Sequence, residues 1–144
     1  LPDLHFFLFW RNMPSYFKKY QHSNVYVIGE VDDAIKFMNS RQVMVVPLLS
    51  GSGMRIKVVE GMALGKVVVS TSVGAEGIEY THGKNIHIAD TATEFVEAFK
   101  KIHDGPGYAL KISKGAVELA KTKYDNEKIV KDLLRAYEQL IEES

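Results

Sequence analysis

Short, nearly continuous apolar runs alternate along the chain with segments whose apolar residues recur every three or four positions. Leu4 to Phe9, Val25 to Ile28, Val43 to Pro47, Val67 to Ser70 and Ile86 to Ile88 read as strands. Asn12 and Pro14 signal a short helix after the first, with Met13, Phe17 and Tyr20 at helical spacing. Asp32 is placed to cap the next, which carries Ile35 and Met38 on one face. A third helix is expected from Met54 to Leu64, with Gly65 as its stop. Thr91 or Thr93 opens a fourth, carrying Phe95, Phe99 and Ile102, and Asp104-Gly105-Pro106-Gly107 ends it. Tyr108 to about Thr122 and Asn126 to Glu143 are two further helices. In the last, Ile129, Val130, Leu133, Leu134, Tyr137, Leu140 and Ile141 form one apolar stripe, expected to pack on the sheet or on a neighbour.

Strands with no polar face, separated by helices and short loops, imply a parallel sheet buried on both sides. The fold class is therefore α/β, a Rossmann-like parallel sheet with helices on both faces. Leu1-Pro2-Asp3 leads straight into a strand, where a doubly wound domain would have an earlier βα unit, so the chain is expected to be a piece of something longer. Composition narrows the chemistry. Over 144 residues, 18 Lys plus Arg balance 18 Asp plus Glu, which leaves no global field for nucleic acid or an anionic membrane. Cysteine is absent, which removes thiol catalysis and cysteine metal clusters. The histidines, His5, His22, His82, His87 and His103, show no close metal-ligand spacing, and no metal is expected. No apolar run approaches a membrane-spanning length and no targeting segment opens the chain.

The chemistry concentrates in residues 51–65, at the carboxyl end of the third strand, where open parallel sheets place their ligands. Gly51, Ser52 and Gly53 suit a loop that lets phosphate approach the free N–H groups of a helix start. Their plain alternative is a tight turn that needs glycine. For a helix from Met54, at about 100° per residue, Ile56, Val59 and Ala63 form the inward stripe and Glu60 stands at its margin with Lys57 one turn earlier. Glu60 would then accept two sugar or ribose hydroxyls. The bland reading of Lys57 and Glu60 is an i, i+3 ion pair worth about 0.2–0.5 kcal/mol. Arg55 falls inside the apolar arc, where an unpaired guanidinium is costly, so it belongs to the loop mouth with its fork free to clamp phosphate. The loop from Thr71 to Gly77 follows the fourth strand at the same sheet edge and could close over a ligand. The turn Gly29-Glu30-Val31 is placed by topology to lie against a base.

These residues, with Arg11 to Pro14, Val25 to Val31, Val45 to Leu48 and Val68 to Gly77, resemble in order and spacing the carboxyl-terminal, nucleotide-sugar-binding domain of a family 4 (group 1) glycosyltransferase, one half of the two-domain GT-B fold. The block Arg-x-Lys-x-x-Glu-Gly-Met-Ala-x-Gly, Arg55 to Gly65, is its most specific part. The resemblance implies retaining transfer of a sugar from a UDP-, GDP- or ADP-sugar to an acceptor hydroxyl, without a required metal. It puts the ribose on Glu60, the second carboxylate of a Glu, seven residues, Glu motif. The first falls on Ser52, which implies that other groups, backbone amides among them, hold the sugar. Trp10 stands where the family has a glycine. Donor-binding residues implied are Ser52, Gly53, Arg55, Lys57, Glu60, Gly29 and Val31, and no catalytic residue is identified.

On this reading residues 1–144 are one donor-binding domain, and the first βα unit and an amino-terminal acceptor-binding domain precede them. The chain alone would not catalyse transfer. The setting is cytoplasmic, at most at the inner face of the membrane, with any membrane contact made by the other domain. Surface polysaccharide or glycolipid synthesis is what the family most often serves. Two alternatives stand beside it. A non-catalytic nucleotide- or sugar-binding module would show the same site residues. A nicotinamide-dependent dehydrogenase would need a third glycine where Ile56 stands, in the first βα turn and not after the third strand.

Overall fold

The computed structural model describes residues 3–9 and 11–142, so Leu1, Pro2, Trp10 and Glu143, named above, lie outside the described residues. The chain divides into two compact units, one up to Arg41 and one from Gln42 onward. In the first, strand β1 (Phe6–Phe9) runs parallel to β2 (Val25–Gly29), with Phe6 opposite Val25 and Leu8 opposite Val27. The segment between them is a 3-10 helix, Ser15–Tyr20. Pro14 offers no side-chain acceptor to its first N–H groups, and the turn tightens so that Phe17 N–H reaches the Pro14 carbonyl. Asp33, not Asp32, caps helix α1 (Ala34–Asn39), accepting the Lys36 N–H at 2.9 Å. Ile35 stays 54% exposed and only Met38 is buried. Around them Phe7 stacks on Tyr26, and the Arg41 guanidinium lies 3.7 Å from the Phe7 ring centre, a cation–π contact.

In the second unit β3 (Val43–Val46), β4 (Val67–Ser70) and β5 (His87–Ile88) form a parallel sheet in that order, with Val43 opposite Val67 and Val69 opposite His87. Every residue of β4 is buried, as a central parallel strand without a polar face should be. Its side chains alternate between two cores. Val68 joins Val58 and Met62 of α2 (Ile56–Ala63) and Ala116 and Ala120 of α4 (Pro106–Lys123). Val69 joins Ala98, Phe95 and Phe99 of α3 (Ala92–Asp104). Helices thus cover both faces, and burying a side chain such as Met62 stabilises the unit by about 1.5–3 kcal/mol.

Thr91 opens α3 through a capping box with Glu94. Pro106 does not terminate α3; it starts α4, where its missing N–H leaves no bond unmade. Near that start the buried His87 ring bonds the Tyr108 hydroxyl at 2.6 Å, and burial, then His82 and Lys101, push its pKa down. The last helix, α5 (Asn126–Glu142), departs most from expectation. Its apolar stripe is present, but no described residue of α5 is buried, and Leu133 and Ile141 are 52% and 75% exposed. Both cores that flank β4 are already filled by other helices, α2 and α4 in one and α3 in the other.

Candidate functional site

The exits of β3 and β4 are neighbours because the two strands are paired and parallel. After β3, Gly51 and Gly53 take φ of +131° and +79°, open to glycine and strained for other residues. Helix α2 begins at Ile56 and not at Met54, because Arg55 is still extended at φ −89°, ψ 97°. Arg55 therefore lies outside the apolar arc, as its burial cost requires. Its Nη1 donates to the carbonyls of Ser52 and, at 2.8 Å, of Gly53. A Cβ on Gly51 would collide with the same guanidinium. Arg55 thus closes residues 52–55 into a ring, with Nη1 turned onto the loop's own carbonyls.

The helix also turns a different face to the core than the one expected. Its inner face is Val58, Gly61 and Met62, whereas Ile56 is 69% exposed and Ala63 is exposed, so the stripe of Ile56, Val59 and Ala63 is not the buried one. Gly61 explains the rotation: it lets the Met44 thioether of β3 approach the helix backbone where any Cβ would clash. Glu60 consequently stands not at the margin but roughly 150° round from that face. Its carboxylate pairs with Lys57 Nζ at 2.6 Å, the side chains being 38% and 64% exposed. The surface ion pair expected from the spacing is formed.

The exit of β4 is built differently. The Thr71 hydroxyl donates to the Leu48 carbonyl at 2.6 Å and accepts the Gly74 N–H at 3.0 Å. A Cβ on Gly74 would lie 2.9 Å from the Val46 carbonyl oxygen, and one on Gly77, at φ +78°, would lie 3.1 Å from the Met54 Cβ. Residues 71–77 are therefore already seated against the glycine loop. Ser72 donates its N–H and its hydroxyl to the two oxygens of Asp90, each at 2.7 Å. Those bonds, the hydroxyl's first, hold the Asp90 carboxyl below the ordinary carboxylate range. Neither Thr71 nor Asp90 stood out in the sequence. The one local hint was Asp90 just before the capping-box threonine.

Ser52, Gly53, Arg55, Lys57 and Glu60 all belong to the unit from Gln42 onward, within one loop and the first turns of one helix. Gly29 and Val31 belong to the other. There Gly29 ends β2 at φ +82°, Val31 is half-buried, and Glu30 pairs with Arg11 at 3.5 Å on exposed side chains. Among the described residues no group of three or more His, Asp or Glu side chains is placed to hold a metal ion. No described helix is long and apolar enough to cross a membrane. A cavity of about 290 Å³ runs along α3, lined by His82, His87, Glu94, Glu97 and Lys101, away from the glycine loop.

Residues 6–104 match the family described as glycosyl transferases group 1. An uncharacterized 44.6 kDa protein in the cps region of Klebsiella pneumoniae is 26% identical over 93 residues, 65% of this chain and 24% of its own length. HepE of Anabaena, solved in complex with UDP, aligns over 94% of this chain and 42% of its own, with a TM-score of 0.76 and 17% identity. The C-terminal domain of the group 1 glycosyl transferase LpcC from Francisella tularensis aligns over 77% of this chain and 60% of its own, with a TM-score of 0.65 and 17% identity. The chain thus spans about a quarter of the first relative and less than half of HepE, and at these identities the structural likeness speaks for the fold. The family match itself runs from β1 through α3 and takes in the glycine loop, Lys57 and Glu60: the chain belongs to the group 1 glycosyl transferases.

Proposed function

We propose that this chain is the donor-binding domain of a glycosyltransferase that moves a sugar from a nucleoside diphosphate sugar to an acceptor hydroxyl with retention of configuration. The observation that carries the reading is the exit of β3. A loop with two glycines at positive φ feeds α2, and the first turns of that helix present Lys57 and Glu60 away from the core. In this reading the diphosphate rests on the unpaired N–H groups at the start of α2, with Arg55 and Lys57 as its cations. Glu60 takes the ribose hydroxyls, and the backbone of Ser52 and Gly53 holds the donor sugar. During transfer the bond from the anomeric carbon to the diphosphate oxygen breaks. The acceptor oxygen bonds to that carbon on the same face, its proton passes to the departing diphosphate, and the nucleoside diphosphate leaves. The helix end and the two cations stabilise the leaving charge, so the reaction needs no metal.

HepE was solved with UDP, which makes a uridine diphosphate sugar the first donor to try, ahead of guanosine and adenosine diphosphate sugars. The acceptor would be held by an amino-terminal domain of the same protein, in the cytoplasm or at the inner face of the membrane, and this chain alone would transfer nothing. A relative in a cps region favours surface polysaccharide as the product. One observation favours a second reading, a nucleotide- or sugar-binding module without catalysis. Lys57 and Glu60 already satisfy each other, and Arg55 is already spent on its own loop. Titrating the full-length protein with the three donor classes separates the readings when sugar transfer is followed alongside binding, with and without a chelator. Glu60→Ala should weaken binding of the preferred nucleoside diphosphate about tenfold or more. An unchanged affinity removes Glu60 from the site.

A further inference from the structure

Two consecutive residues at the exit of β4 are tied in opposite directions. Thr71 holds to the β3 side, its N–H on the Val46 carbonyl at 3.2 Å and its hydroxyl on that of Leu48. Ser72 holds to the β5 side, where both of its donors meet the Asp90 carboxylate. Asp90 is itself fixed. Its N–H and that of Thr91 both donate to Glu94 Oε2, at 2.6 and 2.9 Å, inside the capping box that starts α3. Hydrogen bonds to an ionised carboxylate are roughly twice as strong as neutral ones, so this tie is stronger than an ordinary turn requires. Beyond the fork the chain has little freedom. Gly74 lies against Val46, Ala75 and Ile78 are buried, and Gly77 rests on Met54, the last residue before Arg55. The course set at Ser72 therefore reaches the glycine loop through packed atoms, and no step of the proposed transfer otherwise uses Asp90.

We propose that Asp90 is a positioning residue for nucleoside diphosphate binding: through Ser72 it sets the course of residues 73–77, whose seat on Met54 holds the glycine loop in shape. The inference rests on the donor-site reading above, and its test keeps the two apart. UDP is titrated into the full-length protein and its Asp90→Ala, Asp90→Asn and Glu60→Ala variants, and amide hydrogen exchange is followed over residues 51–55 and 73–77. Asp90→Ala should weaken UDP about tenfold, close to 1.4 kcal/mol, and speed exchange in both segments. Asp90→Asn keeps an oxygen for the Ser72 N–H and should recover most of the affinity, which a loss of general stability would not reproduce. Should Asp90→Ala fail to fold, Ser72→Ala, which deletes only the hydroxyl, should weaken UDP about threefold. Faster exchange with unchanged affinity overturns the proposal. If Glu60→Ala weakens UDP and neither Asp90→Ala nor Ser72→Ala does, the proposal alone falls. If Glu60→Ala also binds UDP normally, the donor-site reading falls and the proposal with it.

Discussion

The exits of β3 and β4 are adjacent and both rich in glycine, yet Gly53 in the first and Gly74 in the second are glycine for opposite reasons. Gly53 sits in open space and needs glycine only for its backbone angle, whereas Gly74 has an ordinary angle and no room for a side chain. The first loop is exposed from Leu49 to Met54 and spends an arginine on its own carbonyls. The second is pinned to β3, to α3 and to the first loop. A glycine-bearing strand exit is thus not a site by composition: one of these two has a surface to offer, and the other supplies its backing.

The sharpest way to break that contrast is to add one methyl to each. Gly74→Ala must move backbone at Val46, and unfolding by denaturant should show a loss of about 2–3 kcal/mol. Gly53→Ala meets only angular strain and should lose about 1 kcal/mol. Equal losses would mean that the two glycines do the same job. Next in size is Thr71→Val, which keeps the shape of the side chain but strands the Leu48 carbonyl and the Gly74 N–H. A loss of about 1–2 kcal/mol is expected in the same measurement. A neutral outcome would show that the second loop is not held by this hydroxyl. Smallest on stability is Lys57→Ala, about 0.3 kcal/mol, because the exposed pair with Glu60 contributes little. Calorimetric titration should nevertheless show weaker nucleoside diphosphate binding, so that stability and affinity part company at the first exit.

What could be read in advance follows the range of the interactions involved. All five strands were legible, because runs such as Val67-Val68-Val69 carry their burial in their own side chains. Gly65 was legible as a stop, and it does follow α2 at φ +70°. The rotation of α2 was not, since it depends on Gly61 meeting Met44 from another strand. Neither was the start of α2, which the backbone angle of Arg55 delays by two residues. Thr71 and Asp90 find their partners 23 and 18 residues away, and nothing in their immediate neighbours reports such a pairing. The candidate residues from Ser52 to Glu60 were visible as a local motif, while what holds that motif in place was not.

The exposed stripe of α5 has a consequence for anyone who handles this chain. A helix of 17 residues with no buried side chain, tied back to α4 by the Lys128 ammonium on the Thr122 carbonyl at 2.8 Å, draws little from packing, and in water that is marginal. Its opening therefore costs far less than global unfolding, and trypsin meets Lys128, Lys131 and Arg135 there before it meets any basic residue of α4. A shortened fragment in a purified sample would then report the low local stability of one helix, and would say nothing against the integrity of the sheet that carries the site.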